Sequence, residues 1–174
     1  TLNGDDWAIP TENESKKMVL KTAVLNKDDK SYPDLLKIGA PRQVSYGLVN
    51  EPDVFADNIA YTKDKTWFDL HFQEPIGLFH GEAQLPKMDF KVPGYTPLVG
   101  EFNLYNVLAT VAVARVLQIE PDTIQAALKT IFTVKGRMEK VTGLHEATVV
   151  IDFAHTPNAL KNAIDTGRKM VKEH

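Results

Sequence analysis

The spacing of apolar residues changes near residue 101, and this change limits the folds that the chain can adopt. Residues 66–72 alternate apolar and polar side chains, which is typical of a half-buried strand. From Glu101 to Leu117, apolar side chains recur at three- and four-residue steps, which predicts a helix with one apolar face. A chain that carries both patterns must bury a sheet face against a helix, so we expect layered α and β structure.

Short apolar runs closed by turn residues predict further strands in the first half of the chain. We expect strands at residues 22–25 and 44–49, with a helix at 31–38 that carries Pro33 in its first turn. This strand–helix–strand order indicates an α/β layer with a parallel sheet. Residues 1–20 are polar and weakly patterned, and we expect a loop that leads into a helical turn. Four runs predict a small antiparallel sheet at 54–61, 66–72, 77–85 and 88–92.

The second half of the chain predicts two more helices and a domain boundary. Pro121 begins a helix, and Gly136 interrupts the pattern, so we place a boundary between residues 1–135 and 136–174. Beyond it, strands are expected at 138–141 and 148–153, the second one central and covered on both faces. Thr156 and Pro157 then begin a helix. The expected buried positions of the two helices are Ile124, Ala127, Leu128 and Ile131, and Leu160, Ala163, Ile164, Gly167 and Val171.

Composition excludes several classes of protein. Lys plus Arg number 20 and Asp plus Glu 23, so the chain lacks the basic excess of a nucleic-acid surface. The absence of cysteine excludes disulfide scaffolds, thiol nucleophiles and cysteine-type zinc sites. The longest apolar stretch, residues 107–117, is about half of a membrane span. His71 and His80 have no partner at metal-ligand spacing. We therefore expect a soluble, cytoplasmic protein that binds neither nucleic acid nor membrane.

A polar pair lies at the start of the helix predicted from residue 101. Asn103 and Asn106 are three residues apart and are expected to share one face of its first turn. An amide both donates and accepts hydrogen bonds, so it can pair with a base edge such as that of adenine. In the alternative interpretation, Asn103 caps the helix and Asn106 is a solvated neighbour.

Two shorter motifs allow either a binding or a structural role. Arg137 follows Gly136 at the predicted boundary, where an arginine can bind phosphate bidentately when domains close. The alternative is a surface arginine paired with Glu139. Asn26 ends a predicted strand in the run Asn26-Lys27-Asp28-Asp29, which on its own is typical of a turn.

A third motif follows the predicted strand at residues 148–153. Asp152 lies at its carboxyl end, and His155 and Thr156 follow on the loop into the next helix. Ligands of open α/β sheets bind at the carboxyl ends of strands, where a carboxylate can accept hydrogen bonds from ribose hydroxyls. The N–H groups at a helix start can face phosphate. The alternative is a turn acid followed by a threonine cap.

Taken in order, the motifs resemble those of the Mur ligase family, and most of all the members that add the third amino acid of peptidoglycan. The resemblance covers residues from about 22 to 165. It rests on Val24-Leu25-Asn26-x-Asp28-Asp29, Gly100-x-Phe102-Asn103-x-x-Asn106-x-Leu108-Ala109, Gly136-Arg137-Met138-Glu139 and Asp152-Phe153-Ala154-His155-Thr156-Pro157-x-Ala159-Leu160.

The resemblance implies a fold and a reaction. The fold is the second half of a central ATPase domain followed by the start of a Rossmann-like C-terminal domain. ATP and Mg²⁺ are the implied cofactors, and the implied substrates are a UDP-N-acetylmuramoyl dipeptide and lysine or diaminopimelate, joined through an acyl phosphate. The implied nucleotide site places Asn103 and Asn106 near adenine, Arg137 at the phosphates, Asp152 at the ribose, His155 and Thr156 beside the nucleotide, and Asn26 at a strand end.

The resemblance also implies that this chain is an internal fragment. It contains no Gly-Lys-Ser or Gly-Lys-Thr, which a phosphate-binding loop requires, and the family's metal ligands are expected upstream of Thr1. We therefore expect the isolated chain to be inactive, and its incomplete core to need a partner or self-association. The alternatives are a non-catalytic binding module of the same fold and a related ligase such as folylpolyglutamate synthase.

Overall fold

A computed structural model describes residues 7–9, 17–19, 21–74, 78–79, 88–131, 134–141 and 148–171. Strand β1 (Trp7–Ile9) pairs antiparallel with β2 (Lys17–Val19) in a separate two-stranded sheet. The expectation of a loop and a helical turn is therefore wrong for these two segments. Aromatic and β-branched residues favour extended backbone. The first segment contains Trp7 and Ile9, and the second contains Val19.

A six-stranded sheet forms the centre of the molecule. It contains β3 (Thr22–Asn26), β4 (Arg42–Gly47), β5 (Val54–Tyr61), β6 (Thr66–Glu74), β7 (Leu78–Phe79) and β8 (Met88–Thr96). The order is β3-β4-β5-β6-β8, with β7 paired to β4. The pairs β3–β4 and β4–β5 are parallel, whereas β5–β6 and β6–β8 are antiparallel.

The predicted parallel and antiparallel layers are thus parts of one mixed sheet. They join where the last two residues of β4, Tyr46 and Gly47, pair with Val54 and Phe55 of β5. Of the strand expected at 77–85, only Leu78–Phe79 lies within the described residues, and His80 lies outside them.

The described residues before the predicted boundary form three helices: α1 (Tyr32–Leu35), α2 (Glu101–Val116) and α3 (Pro121–Thr130). Helix α1 has Pro33 in its first turn, as expected, but it ends before residue 38. The Gln43 side chain donates hydrogen bonds of 3.0 Å to the carbonyl oxygens of Leu36 and Ile38. These bonds satisfy the two carbonyl oxygens that follow the last turn of α1, so the helix does not need to continue to residue 38.

The main core lies between the sheet and helices α2 and α3. Leu104, Leu108 and Val111 of α2 are buried in one cluster with side chains of β4, β5 and β6. The predicted apolar face of α2 is confirmed, and so is the burial of Ile124 and Leu128 on α3. Ala127 is exposed, contrary to expectation, because only a narrow stripe of this short helix faces the core.

The remaining elements are β9 (Glu139–Lys140), β10 (Val150–Ile151) and α4 (Pro157–Val171). Strands β9 and β10 pair antiparallel. The expectation of a covered central strand is not met here, because β9 alone pairs with β10 among the described residues, and Ile151 is 52% exposed. Leu160 and Ile164 of α4 are likewise about half exposed. In the described part of the chain, no helix is long and apolar enough to cross a membrane.

Polar contacts hold these last elements against the rest of the molecule. The Lys140 ammonium contacts the Lys63 carbonyl and the Asp64 carboxylate, in the turn between β5 and β6. On α4, the Lys169 Nζ lies 3.7 Å from the Glu101 carboxylate and 5.2 Å from the Tyr61 ring centroid. Helix α4 therefore lies beside the first turn of α2.

Candidate functional site

Asn26 is positioned by the end of β3. Its Oδ1 atom accepts a hydrogen bond of 3.0 Å from the Asp28 backbone N–H, which closes a tight turn. The next residue, Lys27, donates its backbone N–H to the Tyr46 carbonyl oxygen at 2.9 Å and so continues the pairing with β4. The turn expected from the sequence motif is therefore present at the carboxyl end of β3.

Asn103 and Asn106 meet different surroundings on α2. Asn103 is 2% exposed, and its Nδ2 atom donates a hydrogen bond of 2.8 Å to the Val99 carbonyl oxygen. Asn106 is exposed. The N-cap residue of the helix is Gly100, so the alternative in which Asn103 caps the helix is wrong. The expected placement of the two asparagines three residues apart on one helix is confirmed. Asn106 remains accessible to a ligand, whereas the Asn103 amide already bonds to the loop before the helix.

Gly100 allows α4 to approach this first turn closely. Its φ angle of 104° lies in the region that favours glycine, and an added Cβ would lie 2.9 Å from Cγ2 of buried Thr166. A cleft of about 230 Å³ lies between α2 and α4, lined in part by Glu101, Tyr105 and Lys161. Burial raises the pKa of Tyr61, which lies beside this cleft, to about 12, and the Glu101 carboxylate adds to the shift.

Arg137 lies in a turn that is bonded to the end of β10. Gly136 has a φ angle of 70°, and its carbonyl accepts the Phe153 N–H at 2.8 Å. The Asp152 Oδ2 atom accepts the Met138 N–H at 2.9 Å. The Glu139 carboxylate, which the alternative interpretation paired with Arg137, accepts the Gly136 N–H at 2.9 Å. The hydrogen bonds of Gly136 and Met138, the two neighbours of exposed Arg137, thus connect its turn to half-buried Asp152 and Phe153.

His155 and Thr156 follow on the loop into α4. The Nδ1 atom of exposed His155 lies 3.0 Å from the Phe153 carbonyl oxygen, and its ring packs against the Phe153 ring with centroids 5.0 Å apart. Since a carbonyl oxygen only accepts, Nδ1 carries the proton in this bond. The Thr156 Oγ1 atom accepts the Ala159 N–H at 3.2 Å, so the predicted helix start at threonine and proline is confirmed.

The structure therefore divides the seven candidate residues into two groups. Arg137, Asp152, His155 and Thr156 lie around the loop between β10 and α4, and Asn26, Asn103 and Asn106 lie at β3 and α2. Sequence reasoning missed Tyr105, whose hydroxyl donates a hydrogen bond of 2.9 Å to Asp28 and so connects the turn after β3 with α2. Burial raises the pKa of Tyr105, and the bond to Asp28 raises it further. The position of Tyr105 directly before Asn106 is the feature of the sequence that could have drawn attention to this residue.

The chemistry of these groups suits a nucleotide. Asp152 supplies a hydrogen-bond acceptor, Arg137 an exposed cation, and Asn106 an exposed amide. Among the described residues, no group of three or more histidine, cysteine, aspartate and glutamate side chains is arranged to hold a metal ion.

Comparison with known proteins gives a family match and relatives for most of the chain. The family model described as "Mur ligase middle domain" matches residues 12–114. A Bacillus cereus UDP-N-acetylmuramoyl-L-alanyl-D-glutamate–2,6-diaminopimelate ligase is 35% identical over 87% of this chain and 28% of its own length. An Oceanobacillus iheyensis UDP-N-acetylmuramyl-tripeptide synthetase 2 is 38% identical over 84% of this chain and 27% of its own length.

A solved structure has the same fold. A MurF structure from Acinetobacter baumannii matches with a TM-score of 0.66 and 19% identity, over 86% of this chain and 29% of that protein. The chain thus spans well under a third of the length of these relatives. Because the model of the family's middle domain matches residues 12–114, more than half of the sequence, the chain belongs to the Mur ligase family.

Proposed function

We propose that this chain is part of a cytoplasmic, ATP-dependent ligase that adds the third amino acid to UDP-N-acetylmuramoyl-L-alanyl-D-glutamate in peptidoglycan synthesis. The observation that carries the proposal is 35% identity, over 87% of the chain, to a ligase whose name states that substrate. The added amino acid is lysine or diaminopimelate. In this reaction, ATP phosphorylates a substrate carboxylate, and the amine of the amino acid displaces phosphate from the acyl phosphate.

We assign residues 1–135 to the central ATP-binding domain and residues 136–174 to the beginning of the C-terminal ligase domain. The bonds from Gly136 and Met138 to the end of β10 support this boundary, because they tie the turn at Arg137 to the elements that follow it. The contacts of α4 with the first turn of α2 support an arrangement in which these two parts lie side by side.

Seven residues are assigned to the nucleotide. Asp152 accepts hydrogen bonds from the ribose, and Arg137 binds phosphate oxygens bidentately. Asn106, with Asn103 behind it in the helix, pairs with adenine, while His155 and Thr156 flank the nucleotide from the loop before α4. Asn26 borders the same site from the end of β3. Mg²⁺ would neutralise charge on the phosphates, and we place its ligands outside the described residues.

Ligase activity is tested with the full-length gene product. The protein is supplied with ATP, Mg²⁺, UDP-N-acetylmuramoyl-L-alanyl-D-glutamate and either lysine or diaminopimelate, and the products are identified by mass spectrometry. We expect a tripeptide product and one phosphate released per product formed. Omission of the dipeptide should abolish phosphate release above background.

Two other outcomes would reject this proposal in different ways. Product formation from a folate and glutamate instead would identify a folylpolyglutamate synthase. ATP binding without any amide product would identify a non-catalytic module of the same fold. The 174-residue chain on its own is expected not to hydrolyse ATP, because its sequence contains no Gly-Lys-Ser or Gly-Lys-Thr.

A further inference from the structure

Asp28 connects three segments of the chain through one carboxylate. Its Oδ2 atom accepts the backbone N–H groups of Leu48 at 2.6 Å and Val49 at 3.2 Å, directly after β4. The same oxygen accepts the Tyr105 hydroxyl of α2 at 2.9 Å. The Oδ1 atom accepts the Asn50 side-chain amide at 3.2 Å. The carboxylate thus joins the turn after β3, the loop after β4 and the first turns of α2.

Gly47 shows how closely the carboxylate is fitted. A Cβ atom added at Gly47 would lie 2.6 Å from the Asp28 Oδ2 and 2.9 Å from its Cγ. Real side chains do not approach so closely, so any larger residue would push the carboxylate away from the Leu48 N–H. Glycine at the end of β4 is therefore required by the position of Asp28.

The segments that Asp28 joins carry three of the candidate nucleotide-site residues, Asn26, Asn103 and Asn106. Asn26 lies two positions before Asp28 and bonds to the Asp28 N–H. Tyr105 lies between Asn103 and Asn106. One carboxylate therefore sets the separation between the strand-end asparagine and the helical pair. A carboxylate suits this role, because both of its oxygens can accept hydrogen bonds.

We propose that Asp28 is a positioning residue for nucleotide binding, acting through Tyr105 on the first turns of α2. The proposal rests on the proposed ATP-dependent function. Asp28 itself does not contact the nucleotide in this arrangement, since protein groups already engage both of its oxygens. It instead holds Asn106 and Asn26 in place before ATP arrives.

The test uses Tyr105→Phe, Asp28→Asn and the double variant in the full-length protein. Tyr105→Phe removes one hydroxyl and keeps the ring. Tyr95→Phe is the matched control, since Tyr95 lies on β8 and packs against Trp67, with ring centroids 4.8 Å apart. For each variant, kcat and the KM values for ATP and for the amino acid are measured together with the melting temperature.

We expect Tyr105→Phe and Asp28→Asn each to raise the KM for ATP by about tenfold. The KM for the amino acid should stay unchanged, and the double variant should be no worse than Asp28→Asn alone. A purely structural role would lower kcat through loss of folded enzyme and leave the KM for ATP unchanged. If Asp28→Asn does not fold, Gly47→Ala displaces the same carboxylate and takes its place in the comparison.

Two results would overturn the positioning role. One is an unchanged KM for ATP in Tyr105→Phe, and the other is an additive effect in the double variant, which would mean that the two residues act independently. Failure of the underlying function has a different signature, because the unaltered protein would then form no tripeptide product from UDP-N-acetylmuramoyl-L-alanyl-D-glutamate.

Discussion

At the scale of single residues, the two asparagines of α2 differ in what they can contribute. The Asn103 amide is buried and donates to the Val99 carbonyl, so its removal would leave a buried acceptor without that partner. Asn106 is exposed on the same helix. We therefore expect Asn103 to contribute to folding and Asn106 to contribute to ligand binding.

Replacement of each asparagine by alanine tests this expectation. Asn103→Ala should lower the free energy of unfolding by about 1–3 kcal/mol. Asn106→Ala should change it by no more than about 0.5 kcal/mol and should weaken ATP binding. Urea denaturation and calorimetric titration with ATP measure the two effects. Equal destabilisation by both variants would contradict the assignment.

The pH dependence of stability should include a contribution from Asp69. The Lys91 ammonium, and then the Asn58 amide, hold the pKa of Asp69 below its ordinary value of 3.8 by hydrogen bonds. A lowered carboxyl pKa means that folding favours the carboxylate. This stabilisation is present above pH 3.8 and is lost as the pH falls through the lower folded value.

Melting curves recorded at falling pH check this expectation. Asp69→Asn should melt lower than the unaltered protein at neutral pH, and the difference should shrink on acidification below the ordinary carboxyl value. Val113→Ala, an exposed position of α2 whose side chain does not titrate, is the control, and its effect should be the same at every pH. A constant difference at all pH values would argue against the ionised bond.

At the scale of elements, long regular patterns were predictable and short ones were not. The long run of helical spacing that defines α2 repeats over several turns, and its predicted start at Glu101 and its apolar face are confirmed. Strands of three residues, such as β1 and β2, are too short to show a period of two, so the segments 7–9 and 17–19 were misassigned.

The same limit applies to the candidate site. The Thr156 cap and the Asn26 turn were foreseeable because their partners lie within three residues along the chain. The hydrogen bond between Tyr105 and Asp28 joins residues 77 positions apart. The sequence shows a tyrosine beside Asn106, but no local pattern predicts its partner. The different surroundings of Asn103 and Asn106 also depend on how α2 packs, which spacing alone does not determine.

The packing of α2 should account for much of the stability of the sheet. Leu108 is 0% exposed in the main cluster, whereas Val113 of the same helix is 45% exposed. Leu108→Ala should lower the free energy of unfolding by about 2–5 kcal/mol, and Val113→Ala, the control, by much less. If urea denaturation gave equal losses of unfolding free energy for the two variants, burial of this face of α2 would not be what stabilises the protein.

At the scale of the whole molecule, α4 packs through Thr166 against Gly100, and α4 and the β9–β10 pair also make charged contacts with the rest of the chain. Such contacts are weak when exposed and weaker at high salt. The Lys140 ammonium lowers the pKa of Asp64, mainly through its hydrogen bond, which indicates that the ionised pair is the favoured form. The attachment should therefore respond to ionic strength, while the core of the sheet should not.

Hydrogen exchange can detect this response. Asp64→Asn, or high salt, should speed amide exchange around β9 and leave the rates in β6 unchanged. Asp34→Asn is the matched control, because the Asp34 partner, Lys37, lies in the same local turn at 2.7 Å. Equal acceleration in both variants would mean that the Lys140 contact does not hold the two parts together.

The mixed sheet has a consequence for the order in which the molecule folds. The antiparallel strands β5 and β6 are joined by residues 62–65, a turn closed by the Thr62 N–H and the Lys65 carbonyl at 2.9 Å. Parallel strands β3 and β4 need the longer crossover through α1. Because local pairings close at a smaller entropic cost, the hairpin is the expected nucleus, and the edge that carries Asn26 and Asp28 assembles on it afterwards.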